Sequence, residues 1–112
     1  MLIIAFSTKT SKILPRIFCG DLKHVAPIVA RGNKMTLYQF VRHGQIVKIP
    51  ILARDIKILA AHGWRFVYLP HALPQNIDER HICTCVHLTK RLIGMHNIFI
   101  QTPNALYRKL AP

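Results

Sequence analysis

Cys85 heads a run whose apolar residues fall at helical spacing, with Leu88, Leu92 and Ile93 at +3, +7 and +8. Thr84 is the expected N-cap and Gly94 the expected stop. A thiol in the first helical turn sits at the positive end of the helix dipole, which favours the nucleophilic thiolate. Such a nucleophile needs an imidazole within hydrogen-bond reach, and the imidazole needs a third polar group to orient it. His24, at the head of an apolar strand pattern, is the expected base. On the following strand pattern the two-residue period turns Gln39 toward His24 and Tyr38 away, so Gln39 is the expected orienting group. The chemistry implied is thiolate attack by Cys85 on an acyl carbonyl, with His24 taking and returning the proton. The oxyanion would be held in part by the Cys85 backbone N–H.

The remaining cysteines and histidines are weaker candidates. Cys83 precedes the helical pattern and is expected to point elsewhere. Cys19 reads as the tail of a short helix, a structural position. His87 lies two residues into the Cys85 helix, turned from the thiol, and His43, His62, His71 and His96 fall in turns or helix ends, where solvent would hold them. The alternation His81, Cys83, Cys85, His87 suggests zinc, but the geometry is wrong. In a strand the outer two lie about 20 Å apart at ~3.3 Å per residue, whereas zinc holds its ligands at about 2.0–2.3 Å. In a helix, positions i and i+2 point apart. No metal and no cofactor is expected.

These side chains must be carried by an ordered scaffold. Strand patterns run over Leu2–Phe6, His24–Ala30, Met35–Val41, Ile46–Ile51 and Trp64–Leu69. The middle three are joined by short Gly-containing turns, as in an antiparallel meander, and Pro27 suggests an edge position or a bulge. Helical patterns run over Ala53–His62, from Cys85 to Gly94, and from Thr102-Pro103 through Leu110, with a short one over Ser11–Phe18 interrupted by Pro15. There is no repeat and no linker composition. The expectation is a single domain over 1–112: α+β, with a partly curled antiparallel sheet packed against the cysteine-bearing helix.

Of the 112 residues 51% are hydrophobic, enough for a core and against disorder. Three unevenly spaced cysteines make no disulfide framework and point to a reducing compartment. The apolar opening Met1–Phe6 is too short for a span and lacks the flanks of a signal peptide, so a cytoplasmic location is expected. Sixteen Lys and Arg against four Asp and Glu give a formal charge of +12, which favours an anionic polymer or membrane surface as partner. The basic residues form no long run, the aromatics make no base-stacking platform, and no nucleic-acid module or phosphate-binding glycine loop is legible.

The stretches Phe6-Ser7-Thr8-Lys9-Thr10-Ser11, Lys23-His24-Val25-Ala26, Thr84-Cys85-Val86-His87-Leu88-Thr89-Lys90-Arg91-Leu92-Ile93-Gly94 and Thr102-Pro103-Asn104-Ala105-Leu106-Tyr107 carry a resemblance. Their types and order resemble the circularly permuted papain-like proteins of the NlpC-related superfamily, which includes lecithin:retinol acyltransferase-like enzymes, and in particular its small phage and bacterial members. The resemblance implies a permuted papain-like fold and a cysteine-dependent hydrolase (peptidase or amidase) or acyltransferase acting on amide, ester or thioester bonds. By carry-over Cys85 is the nucleophile, His24 the base and Gln39 the third group. The acyl partner would be a peptide, a cell-wall peptide or a lipid ester. The chain departs from the family at Thr84, where acyltransferases often carry Asn, at Gln39, an uncommon third residue, and at Pro27, close after the histidine. Two other readings stay open: a non-enzymatic basic protein binding nucleic acid or another polyanion, and a catalytically degenerate papain-like interaction protein.

Overall fold

The structure, a computed structural model, describes residues 1–7, 24–42, 45–96 and 99–111. The helix expected over Ser11–Phe18, Cys19 and His43 lie outside the described residues. Five strands form one antiparallel sheet: β1 (Leu2–Ser7), β2 (His24–Arg31), β3 (Lys34–Arg42), β4 (Gln45–Ile51) and β5 (Arg65–Leu69). Their spatial order is β4-β3-β2-β1-β5. Three α-helices accompany them: α1 (Ala53–Ala61), α2 (Cys85–Ile93) and α3 (Pro103–Leu110). A single 3₁₀ turn, Glu79–His81, precedes α2. Among the described residues no helix is long and apolar enough to cross a membrane.

β2, β3 and β4 form the expected meander. Gly32 takes φ +57° in the two-residue β2–β3 turn, a value that glycine adopts without steric cost. The edge position suggested by Pro27 is not observed. β1 pairs along the other side of β2, so β2 is the central strand and Pro27 is buried opposite Ile4. The proline is accommodated because pairing with β3 begins only at Ile28–Leu37, one residue further on, where a missing N–H breaks no ladder.

Both sheet faces are covered, which explains the unbroken apolar run of β1 in place of an alternating one. Leu2, Ile4 and Phe6 join Val25, Val29 and Val67 in one buried cluster with Val86 and Leu92 of α2, Ile100, and Leu106 of α3. Ile3 and Ala5 join Ala26, Ile28 and Leu37 in a second cluster, against which Ile56 of α1, Trp64 and Phe66 pack. This is the period-two pleat read on two faces: even residues of β1 meet α2 and α3, and odd residues meet α1. Phe6 is wholly buried, its ring edge-on to Tyr107 at 5.1 Å. Burying a side chain of that size is worth about 1.5–3 kcal/mol.

Candidate active site

The head of α2 is built as its sequence requires. Thr84 has extended backbone, and its Oγ1 accepts the His87 N–H at 2.9 Å, satisfying one donor that the helix leaves open. Cys85 is therefore the first helical residue, half-buried and packed against the α2 side of the core. Thr89, fully buried, donates its hydroxyl to the Cys85 carbonyl at 3.0 Å and fastens the turn that carries the thiol. At the other end Gly94 takes φ +79°, and the Met95 N–H reaches the Lys90 carbonyl at 2.7 Å. Two further bonds pin α2 to its surroundings. The Gln75 N–H donates to the Leu92 carbonyl at 2.8 Å, and the buried Lys90 ammonium donates to the Ile100 carbonyl at 2.8 Å. Burial, with the neighbouring Arg91 charge second, holds the Lys90 pKa below its ordinary value.

His24 and Gln39 are brought together. The His24 Nε2 lies 3.0 Å from the Gln39 amide nitrogen and 3.3 Å from its amide oxygen. One ring nitrogen facing both amide atoms allows two arrangements. With the proton on Nε2, the ring donates to Oε1; without it, the ring accepts from the amide N–H. The first leaves the lone pair on Nδ1, the form a general base needs. Gln39 also donates to the Phe40 carbonyl at 3.4 Å, and Trp64 stands edge-on to the His24 ring with centroids 6.1 Å apart.

The pleat separates this pair from the cysteine by face. His24 has the parity of Ala26 and Ile28, and Gln39 that of Leu37, so both belong to the α1 side, with Trp64. Cys85 belongs to the α2 side, as does Tyr38. His24 is nevertheless the first residue of β2, paired with Ser7 at the last position of β1.

Cys83 is exposed, with its sulfur 3.7 Å from the His81 carbonyl, and lies ahead of the helix as expected. Among the described residues no group of three or more His, Cys, Asp or Glu is placed to hold a metal ion.

Sequence reasoning passed over a second cluster. It joins His87, expected only to turn from the thiol, with Arg91 and with His96, expected to be solvated. The His87 Nδ1 lies 3.3 Å from the Cys83 amide nitrogen and its Nε2 3.3 Å from Arg91 Nε; with the proton on Nδ1 the ring accepts from Arg91, and with the proton on Nε2 it accepts from Cys83 instead. Arg91 Nη1 reaches His96 Nδ1 at 3.1 Å. Burial first, then the charges of Arg91 and Lys90, hold the His87 pKa below its ordinary value. The legible signal was the i, i+4 spacing of His87 and Arg91, together with the absence of any Asp or Glu after Glu79.

No family model, no curated protein and no solved structure matches this chain.

Proposed function

We propose that this protein is a cysteine-dependent hydrolase or acyltransferase with Cys85 as nucleophile, His24 as base and Gln39 as the group that orients the ring. The observation that carries the reading is the contact of His24 Nε2 with Gln39 Oε1 at 3.3 Å, which, with the proton on Nε2, leaves the lone pair on Nδ1 for the base. It is supported by the position of Cys85 at the first turn of a capped, pinned helix. The Cys85 sulfur bonds to the acyl carbon while its proton passes to the His24 ring. The ring then returns that proton to the departing amine or alcohol. Water, or an acyl acceptor, attacks the thioester next and restores the thiol. Because the pleat assigns ring and thiol to different faces, the reading requires them to meet past the end of β2.

The test is acylation by an activated ester such as p-nitrophenyl acetate, followed by mass mapping of the cysteines. The reading predicts a burst of nitrophenolate and an acetyl group on Cys85, slowed by His24→Ala and abolished by Cys85→Ala. Acetylation that favours the exposed Cys83 and ignores His24→Ala would overturn it. In that event the basic binding protein becomes the better reading.

A further inference from the structure

The Arg91 cluster lies between two adjoining clefts. The first, about 320 Å³, is lined by Cys83, Thr84, His87, Arg91, His96 and Gln101 among others. The second, about 470 Å³, runs past Gln75, Asn76, Gly94 and the same Arg91 and His96. Among the described residues, neither is lined by a carboxylate. The chain has four acids, and the three that are described are engaged elsewhere. Asp55 accepts from the Leu52 N–H, Asp78 pairs with Arg80 and His81, and Glu79 pairs with Lys48. Among the described residues, the guanidinium of Arg91 has no anionic partner.

Two imidazoles hold it instead. A neutral acceptor positions an arginine without cancelling its charge. In the His87 tautomer with the proton on Nδ1, which forgoes the Cys83 N–H, Arg91 Nε and one Nη1 hydrogen are used on His87 and His96, which leaves three of the five N–H donors for a ligand. A protein that lodges an uncompensated, oriented guanidinium in a polar cleft presents the fork that planar bidentate recognition of oxyanions requires. The rest of the lining adds hydroxyl and amide groups, Thr84, Gln101, Gln75 and Asn76, that can bond an oxyanion and the polar group it is attached to.

We infer that these joined clefts form a binding site for a phosphate group, gripped by Arg91 and propped by His87 and His96. The site adjoins Cys83 and Thr84, yet it stands whether or not Cys85 acts as a nucleophile.

The experiment is a titration of the full chain with inorganic phosphate, followed by NMR, against chloride at equal ionic strength. Saturable shifts are expected at Arg91, His87 and His96. Arg91→Gln should weaken binding about tenfold or more. Arg31→Gln, an exposed charge at the β2–β3 turn, should change it less than about twofold. Arg91→Lys, which keeps the charge and the surface position but loses the fork, should also weaken binding. His96→Ala should weaken it several-fold by freeing the guanidinium. Equal losses in Arg91→Gln and Arg31→Gln, undiminished binding by Arg91→Lys, or shifts spread over the whole basic surface would overturn the inference. So would acetate binding as tightly as phosphate.

Discussion

Removing the Gln39 amide isolates the orienting role. In Gln39→Ala the part-buried bond between His24 Nε2 and the amide oxygen at 3.3 Å is lost, and with it that hold on the ring's orientation. A neutral hydrogen bond of this kind is worth about 0.5–1.5 kcal/mol net, which is roughly 2- to 12-fold in a rate that depends on ring orientation. Gln39→Glu keeps an acceptor oxygen at the same reach and adds a charge that favours the imidazolium, so the rate should be at least retained. The assay is iodoacetamide alkylation from about pH 5 to 9, with each cysteine read separately by peptide mass spectrometry. Gln39→Ala should slow Cys85 by the stated factor and leave the exposed Cys83 unchanged. If Cys85 alkylates at the same rate in wild type and Gln39→Ala at every pH, Gln39 has no part in activating the thiol.

Other expectations follow from the same geometry. Thr84→Ala removes the cap on His87 N–H and should cost about 1 kcal/mol in urea unfolding, whereas Thr84→Ser should cost little. Gly94→Ala forces an alanine to φ +79° with its Cβ 3.4 Å from the Gln75 side chain, and should cost about 1–2 kcal/mol by the same measurement. His87, whose pKa is lowered by burial and by Arg91 and Lys90, binds protons more weakly folded than unfolded. Its contribution to stability is complete above about pH 6.5 and is lost as pH falls through its folded value; His87→Gln should flatten that part of the stability profile.

Much of the scaffold was legible because its signals are local. The β2–β3–β4 meander follows from alternating patterns broken by short turns, and α2 from a threonine cap, an apolar stripe and a terminal glycine. Alternation also paired Gln39 with His24 and turned Tyr38 away, as observed. What escaped was non-local. Nothing in the order of strands announces that β1 inserts between β2 and β5, and that insertion makes β2 central and leaves Pro27 buried. The face against which α2 packs is likewise a property of the assembled layers, so its relation to His24 could not be read from either segment alone. The Arg91 cluster escaped because charged and imidazole side chains on a helix look solvated until the turn at Gly94 folds His96 back toward Arg91.

Under the proposed function the Cys85 thiol is activated by the His24 ring. The most direct measurement compares the pH dependence of Cys85 alkylation in wild type and in His24→Ala. Wild-type Cys85 is expected to ionise well below the free-thiol value of about 8.5, and the variant to return toward it. Coincident profiles, with both midpoints at or above about 8.5, would contradict that activation.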